Sequence, residues 1–330
     1  MSQLDFITIG DCAQDMFLVL NPETVDVKKG QLELAYGAKL PVLAKHDTVG
    51  GNAANAATAL ARLGYSVAIY THVGGDDTGD RIRKEFRRNG IAETYVTIDR
   101  HKESNSSTLL SLNGERTILS FHAERRYSLP RLEYANWIYL SSMRQGYIGI
   151  YDHLNAYLER TNARLCFQPG SYQLKAGPQE AATLLKRTEV FACNLEEAKQ
   201  YLGHKAGTPP ERLLTELRAL GPRIAVITDG RNGAYASDGD GVWHLDVIQD
   251  IQRVDTTGAG DAFCSGFVGA LGRGLSLGEA LRWGQGESSS VIQYFGAQPG
   301  LLHRRQLEKL LSHYENLVVE KAPVAINHNS

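Results

Sequence analysis

Short runs of apolar residues alternate with longer amphipathic stretches along most of the chain. Such runs, bounded by Gly, Asp or basic residues, are typical of strands buried on both faces of a sheet. The predicted strands are 6–9, 67–70, 137–140, 164–167, 190–193 and 224–227, and the predicted helices are 53–63, 78–89, 150–160, 178–187, 195–202 and 209–220. This alternation predicts an α/β fold in which a mostly parallel central sheet lies between two layers of helices.

Residues 14–47 and 94–122 interrupt this alternation with short runs in which apolar and polar residues take turns. Asn113-Gly114 separates the last two of these runs, and this dipeptide is a strong signal for a β-hairpin. We therefore expect the two segments to form a small antiparallel sheet apart from the main one, within a single domain of residues 1–330. A hairpin packed at an edge of the main sheet is the alternative.

The composition narrows the functional classes. The chain has 330 residues, 42% of them apolar, which is enough for a sizeable core. A net charge of −2 does not favour nucleic acid or an anionic membrane surface as a partner, and no apolar run approaches the ~20 residues of a membrane span. The four cysteines have no CxxC spacing and there is no secretory signal, so we expect a cytoplasmic protein with buried thiols. Residues 321–330 lack apolar periodicity and are predicted to be a mobile tail.

A run of small residues precedes a carboxylate in Asp255-Thr256-Thr257-Gly258-Ala259-Gly260-Asp261-Ala262-Phe263. The small side chains of Gly258, Ala259 and Gly260 allow backbone N–H groups to approach an anion, and a helix beginning there would direct its positive end at the same anion. Asp261 would lie at that helix start, where it can accept a proton from a hydroxyl. The combination suits phosphoryl transfer to an alcohol, with Asp261 as general base and residues 258–261 as an anion hole. The alternative is a carboxylate that only stabilises the helix start.

A second motif lies much earlier in the chain, Gly50-Gly51-Asn52-Ala53-Ala54-Asn55-Ala56-Ala57, followed by Gly64 and Gly74. In this order the two motifs resemble the paired signatures of the PfkB carbohydrate kinases, also called the ribokinase family. The resemblance covers about residues 5–312 and implies a ribokinase-like three-layer α/β/α fold. It also implies an ATP-dependent kinase that phosphorylates a hydroxyl group of a sugar, and we expect that hydroxyl to be a primary alcohol. The small sheet would form a lid over the sugar. Lids of this family often clasp in a homodimer, and lid closure would exclude water as a competing acceptor.

The resemblance also assigns roles to individual residues. Asp15, Gly51 and Asn55 would bind the sugar, because carboxylates and amides can bridge neighbouring hydroxyls. For Asn55 the alternative is a buried amide bonded to nearby backbone. Asn194 would lie near the phosphates and Glu197 would orient water ligands of Mg²⁺. The same two residues also fit a helix capping box, and both interpretations can hold together.

For the nucleotide, the resemblance implies contacts from Asn194, Thr228, Gly230, Gly233, Gly258 and Gly260. Residues 284–300 would line the adenine and cation sites. A monovalent cation, usually K⁺, would be held by Asp255 and Thr257 and by backbone carbonyls near Val291, Tyr294 and Gly296. Some relatives have Ser at the position of Gly300, and the missing hydroxyl would weaken that cation site.

The acceptor stays open at this stage. A sugar phosphate would need additional cations, for which the candidates are Arg116, Arg125, Arg126 and Arg144. A nucleoside, as in the nucleoside kinases of the same family, would need an apolar slot for its base, and the candidates are Tyr36, Phe121 and Tyr127. Gln168 stands where relatives often have Asp or Asn.

Two other functional classes compete with the kinase. In a dinucleotide-dependent oxidoreductase, Gly258-Ala259-Gly260 would begin a GxGxxG motif, but Phe263 holds the third glycine position. The chain also lacks a Walker A motif, which argues against a P-loop NTPase. The second is a non-catalytic sugar or nucleotide sensor built on a kinase fold. The presence of both Asp261 and Glu197 favours an enzyme over a sensor, and sugar-dependent ATP turnover would distinguish the two.

Overall fold

The computed structural model describes residues 4–314 and 317–322, where strand and helix alternate through most of the chain. The strands are β1 (Leu4–Ile9), β2 (Ala13–Leu20), β3 (Asp26–Lys28), β4 (Gln31–Glu33), β5 (Val42–Gly50), β6 (Val67–Gly74), β7 (Ala92–Asp99), β8 (Ser106–Leu112), β9 (Glu115–Phe121), β10 (Ala135–Leu140), β11 (Arg164–Phe167), β12 (Thr188–Asn194), β13 (Ile224–Thr228), β14 (Ala234–Ser237), β15 (Val242–Leu245) and β16 (Glu320–Ala322). The α-helices are α1 (Asn52–Arg62), α2 (Asp77–Arg88), α3 (Ile148–Thr161), α4 (Ser171–Ala176), α5 (Ala182–Leu185), α6 (Leu195–Leu202), α7 (Pro210–Ala219), α8 (Ala259–Gly272), α9 (Leu277–Val291) and α10 (Arg304–His313).

The main sheet has the strand order β16-β15-β14-β13-β12-β11-β10-β1-β6-β7. All pairings from β7 across to β13 are parallel, and β14, β15 and β16 add antiparallel pairs at the other edge. The predicted mostly parallel sheet is therefore confirmed.

Helices cover both faces of this sheet because successive strand residues point to opposite sides. Phe6 packs in a cluster with side chains of α1, α2, α8, α9 and α10, whereas its neighbour Ile7 packs in a second cluster with α3 to α7. The two clusters form the outer layers of a three-layer α/β/α core, as expected. None of the helices in the described residues is long and apolar enough to cross a membrane.

A smaller sheet, which we call the lid sheet, has the order β5-β2-β8-β9. Its outer pairs are antiparallel, and its middle pair, β2 with β8, is parallel. Strands β3 and β4 form a separate two-stranded hairpin.

One predicted boundary of the lid is wrong. Residues 94–99, which the sequence pattern assigned to the small sheet, belong to β7, and β7 pairs in parallel with β6 in the main sheet. The error has a physical cause: β7 is an edge strand whose side chains are partly exposed, so its pattern alternates like that of a lid strand.

The predicted mobile tail is also partly wrong. Lys321 and Ala322 belong to β16, which pairs with β15, and the ammonium group of Lys321 lies 4.4 Å from the centre of the Trp243 ring. These contacts stabilise the segment although it lacks apolar periodicity. The rest of the predicted tail, 323–330, lies outside the described residues.

Candidate active site

Two adjoining cavities open where the carboxyl ends of β11, β12 and β13 meet the lid sheet and the start of α8. The first, which we call the acceptor cavity, has a volume of about 580 Å³, and the second, the nucleotide cavity, about 530 Å³. Thr228, Gly260 and Phe263 line both cavities, so the two meet at the start of α8. Ligands of parallel α/β sheets bind at this edge.

The loop before α8 lies at that junction, and of the backbone N–H groups of residues 258–261 only that of Ala259 donates to another described residue, the Thr256 carbonyl at 3.3 Å. Gly258 precedes the helix with φ 76°, and a Cβ added to it would lie 2.2 Å from Cβ of Ala297, so only glycine fits. Among the described residues no side chain caps this helix. The other three N–H groups and the positive end of the helix dipole therefore remain available to an anion.

Asp261 lies in the first turn of α8 and lines the acceptor cavity. Its Oδ1 accepts hydrogen bonds from Asn52 Nδ2 (3.1 Å) and Gln168 Nε2 (3.2 Å), and its Oδ2 accepts one from Asn55 Nδ2 (2.8 Å). Burial raises the pKa of Asp261 to about 6, and the amide donors act against that rise. The carboxylate is thus fixed in orientation and more basic than an exposed Asp, which suits proton acceptance near neutral pH.

Asp15 lies across the acceptor cavity from α8, on the inner face of the lid sheet. In the sheet register it stands opposite Ser107, and Ser107 stands opposite Ser120. All three residues line the cavity, so a polar row crosses the lid. Burial raises the pKa of Asp15 to about 6, and the nearby carboxylates of Asp255 and Asp261 add to the rise. A Cβ at Gly50 would lie 1.9 Å from Asp15 Oδ2, so the glycine leaves room for this carboxylate.

The structure brings Asn55 to Asp261 but not to the cavity wall. Its Nδ2 donates to Asp261, and its Oδ1 accepts a hydrogen bond from Gln298 Nε2 at 3.2 Å. Asn52 lines the acceptor cavity together with Gly51. The two asparagines are three residues apart on α1 and so share a face of that helix, but the motif alone does not indicate which of them reaches the cavity.

Glu197 and Asn194 form the expected helix capping box and also lie where they could contact a bound ligand. Asn194 Oδ1 accepts from Glu197 N at 2.8 Å, and Glu197 Oε2 accepts from Asn194 N at 2.9 Å, which is a complete capping box at the start of α6. Both residues also line the acceptor cavity. Among the described residues Glu197 Oε1 accepts no hydrogen bond, and burial raises the pKa of this carboxyl group. A free carboxylate oxygen of this kind fits a water ligand of Mg²⁺.

Asp255 joins three parts of the structure. Its Oδ1 accepts from Thr257 N (3.1 Å) and Thr257 Oγ1 (2.9 Å), its Oδ2 accepts from Gly296 N (3.0 Å), and Arg116 Nη1 of β9 lies 3.2 Å from Oδ1. The expected cation ligands Asp255 and Thr257 are therefore brought together, and Gly296 contacts Asp255 through its N–H group. The other two, Val291 and Tyr294, bond to each other through Tyr294 N and Val291 O at 3.1 Å. A cation at this carboxylate would share it with the Arg116 guanidinium.

The nucleotide cavity contains several of the residues expected there. Thr228, Gly230 and Gly233 line it with the hairpin tip of the lid sheet, 113–115. Its positive charges come from Arg231 and Arg253. The apolar part of the wall consists of Val247, Ile248, Phe263 and Ile292, with Gln285, Ser288 and Ser289 of α9 beside them. Asn194, expected at the phosphates, lies in the acceptor cavity. Arginine side chains can bind phosphate groups and an apolar slot can hold a base, so this cavity suits a nucleotide.

Sequence reasoning missed His122, which also lines the acceptor cavity. Its Nδ1 is buried and has no hydrogen-bond partner among the described residues, and burial, together with the charge of Arg144, lowers the pKa of this imidazole. A neutral histidine with a free ring nitrogen can bond a ligand hydroxyl. No motif marks it, because it follows β9 in a loop.

Comparisons with known proteins match the chain to the family that its two motifs resemble. A family model described as pfkB family carbohydrate kinase matches residues 25–304. The ribokinase of Bacillus subtilis is 28% identical over 312 residues, covering 92% of this chain and 98% of its own. The aminoimidazole riboside kinase of Salmonella typhimurium is 28% identical over 287 residues, covering 80% and 88%.

Among solved structures, the ribokinase of Arabidopsis thaliana complexed with ribose and ATP superimposes with a TM-score of 0.77 at 20% identity, over 94% of this chain and 99% of that one. The nucleoside kinase of Burkholderia thailandensis in complex with inosine gives a TM-score of 0.73 at 18% identity, over 94% and 99%. At these identities the superpositions show a shared ribokinase-like fold.

Proposed function

The chain belongs to the pfkB family of carbohydrate kinases and is an ATP-dependent kinase, and we propose that its acceptor is a primary hydroxyl of an unphosphorylated sugar. The observation that carries this proposal is the lining of the acceptor cavity. Asp15, Ser107, Ser120 and His122 present hydroxyl-binding groups from the lid side. Short polar side chains in this arrangement match a polyol, because each of its hydroxyls both donates and accepts hydrogen bonds.

The charges of the same cavity argue against a sugar phosphate as acceptor. Of the Arg and Lys side chains in the described residues, only that of Arg116 lines it, and this guanidinium is paired with Asp255. Arg125 instead donates to the carbonyls of Val73 and Glu103, and Arg144 donates to the Tyr172 hydroxyl. The phosphate group of a sugar phosphate bound in the acceptor cavity would therefore have no unpaired Arg or Lys side chain of the described residues to bind it.

A nucleoside acceptor is the second candidate, and the aromatic residues do not favour it. Tyr36 is fully exposed, and the Tyr127 hydroxyl donates to Asp11 Oδ1 at 2.7 Å. Phe121 is one residue from Ser120, which lines the cavity, so it points to the outer face of the lid sheet. The only aromatic ring among the described lining residues, apart from the imidazole of His122, is that of Phe263 at the border with the nucleotide cavity.

The proposed reaction follows from the two cavities. The acceptor hydroxyl lies beside Asp261, and ATP lies in the nucleotide cavity. The hydroxyl oxygen attacks the γ-phosphate of ATP while Asp261 takes the hydroxyl proton. The bond from this phosphorus to the β–γ bridging oxygen breaks, and ADP leaves. The N–H groups of residues 258–261 stabilise the charge that develops on the transferred phosphoryl group. Asn52, Asn55 and Gln168 hold the carboxylate so that one side of it faces the cavity.

Two ions belong to the proposal. Mg²⁺ would neutralise phosphate charge, with Glu197 holding one of its waters. K⁺ would bind beside Asp255, Thr257, Val291, Tyr294 and Gly296. Since Arg116 already supplies positive charge to Asp255, we expect K⁺ to stimulate the enzyme only weakly.

We also propose a homodimer formed through the lid sheet. Leu43, Leu119 and Phe121 are 63%, 57% and 47% exposed, and register places Leu119 and Phe121 on the outer face. Exposed apolar groups on the lid sheet favour association. Light scattering should give a dimer mass for the wild type and a monomer mass for Leu119→Glu; a wild-type monomer at micromolar concentration would contradict the interface.

For its location we propose the cytoplasm. The cysteines Cys12, Cys166, Cys193 and Cys264 are all buried free thiols. Free thiols persist in a reducing compartment. Fractionation of the native host should place the protein with cytoplasmic markers, and recovery with secreted proteins would contradict this.

The proposal is tested by an acceptor screen that couples ADP release to a colour change. ATP and Mg²⁺ are supplied with ribose, fructose, glucose, 2-keto-3-deoxygluconate, fructose 1- and 6-phosphate, adenosine, inosine or cytidine. We expect turnover with one of the four unphosphorylated sugars. A preference for a nucleoside or a fructose phosphate would overturn the assigned acceptor but keep the kinase activity. Sugar binding without any ATP turnover would indicate a non-catalytic sensor built on the kinase fold.

A further inference from the structure

A third cavity, which we call the α1–α2 cavity, has a volume of about 550 Å³ and lies beside α2, the end of α1 and residues 298–299. No described residue lines both this cavity and either of the other two. Val49, Ile82 and Pro299 form its apolar wall. Its charged residues are Arg62, Arg81, Lys84, Arg88, Asp47 and Glu85. The excess of positive charge and the volume suit a small anionic molecule.

The carboxylates of this cavity are already paired. Asp47 lies 2.9 Å from Lys45, which is outside the lining, and Glu85 lies 3.6 Å from Arg88. Arg81 and Lys84 are exposed and form no salt bridge with any residue that the structure describes. The two are therefore available to a ligand.

The arrangement of these cations on α2 is itself unfavourable. Arg81, Lys84 and Arg88 are spaced three and four residues apart, which places them along one face of the helix. Like charges at this spacing destabilise a helix unless an opposite charge neutralises them. Glu85 offsets part of the repulsion, and a bound anion would offset the rest.

A chain of hydrogen bonds leads from this cavity to the catalytic carboxylate. Arg62 Nη1 donates to the carbonyl oxygens of Gln298 (2.8 Å) and Leu301 (2.9 Å) and so holds that loop. Gln298, which lines the cavity, donates from Nε2 to Asn55 Oδ1 at 3.2 Å. Asn55 in turn donates to Asp261 at 2.8 Å. A movement of Gln298 therefore reaches Asp261 through a single intervening side chain.

We infer that the α1–α2 cavity binds the phosphate group of a small phosphorylated metabolite, and that its occupation lowers kcat. Arg62, Arg81 and Lys84 provide charge-assisted donors for such a group. An anion that draws Arg62 toward itself weakens the hold of this residue on the Gln298 carbonyl, and Asn55 then positions Asp261 less well. The binding stands apart from the proposed function, whereas the effect on kcat rests on Asp261 as the base.

Binding is measured by titration calorimetry with inorganic phosphate and with ribose 5-phosphate as probes. A non-hydrolysable ATP analogue and the sugar acceptor are present, so that the other cavities are filled. We expect Arg81→Ala/Lys84→Ala to weaken binding at least tenfold. Arg131→Ala/Lys186→Ala removes an equal charge from exposed positions elsewhere and should bind like the wild type. Equal affinity of the two double variants, or no wild-type binding of either probe, would overturn the site.

The coupling is measured by steady-state kinetics with the tighter of the two probes. We expect the probe to lower kcat of the wild type and to be noncompetitive with both ATP and sugar. Gln298→Ala should still bind the probe by calorimetry, but its already lower kcat should no longer respond. Competition with either substrate, or a full response in Gln298→Ala, would refute the coupling.

Discussion

Asn55 Nδ2 donates a 2.8 Å hydrogen bond to Oδ2 of Asp261, across 206 positions of the chain. The contact joins the motif of residues 50–57 to the motif of residues 255–263, so that the two form one unit. Since the Asn55 amide is engaged at both ends, its role in our account is to orient and tune the carboxylate, and sugar contacts come from neighbours such as Asn52.

The pH dependence of activity tests this role of Asn55. Asp261 must be unprotonated to act as a base, so kcat/KM should rise as pH increases through about 6, the raised pKa of this group. The Asn55 bond lowers that pKa, and Asn55→Ala should therefore move the acidic limb to higher pH, by about one unit if a charge-assisted hydrogen bond is lost. Asn52→Ala should shift it less, because its bond is longer and its effect smaller. An unmoved limb in Asn55→Ala would contradict the tuning.

The response to K⁺ tests the contact between Arg116 and Asp255. The guanidinium is 3.2 Å from the carboxylate and brings positive charge from the lid sheet to the loop before α8. Arg116→Ala removes this charge, so we expect K⁺ to stimulate the variant several-fold more than the wild type. Arg126→Ala, an exposed arginine in the segment that follows the lid sheet, should leave the K⁺ response unchanged. The same response in Arg116→Ala as in the wild type would show that this arginine does not substitute for the ion.

The Mg²⁺ titration tests Glu197. Glu197→Gln keeps the shape of the side chain but removes its charge, so the Mg²⁺ concentration for half-maximal rate should rise, while the rate at saturating Mg²⁺ falls much less. Glu196→Gln is the matched control, because Glu196 is exposed and pairs with Lys199. Superimposable titrations of Glu197→Gln and Glu196→Gln would leave Glu197 as a helix cap alone.

The sequence predicts the parts of this protein that depend on local signals. The buried strands, the helix that begins at Ala259 and the capping box of Asn194 and Glu197 each depend on a short run of residues, and each is present. The parts that depend on distant contacts were not predictable. The apolar run of β7 fits either sheet until its pairing with β6 is known. Likewise, nothing near Gln298 in the chain indicates that its amide reaches Asn55.

The same distinction holds inside the acceptor cavity. Asp15 could be predicted because it follows a strand end, whereas Ser107 and Ser120 reach the cavity only through the register of β2, β8 and β9. His122 has no motif, and its free Nδ1 became evident only from burial without a partner. In our proposal these positions select the substrate, which is why the motifs indicate the reaction but not the acceptor.

The central claim is that Asp261 accepts the proton of the sugar hydroxyl, and the most direct test is Asp261→Asn. The variant keeps the size of the side chain but loses the base, so kcat with the best sugar of the screen should fall ~10²- to 10⁴-fold. Its dissociation constants for ATP and sugar, measured by calorimetry, should change less than threefold and its fold should be intact. A kcat within tenfold of the wild type, with both ligands bound, would contradict the account.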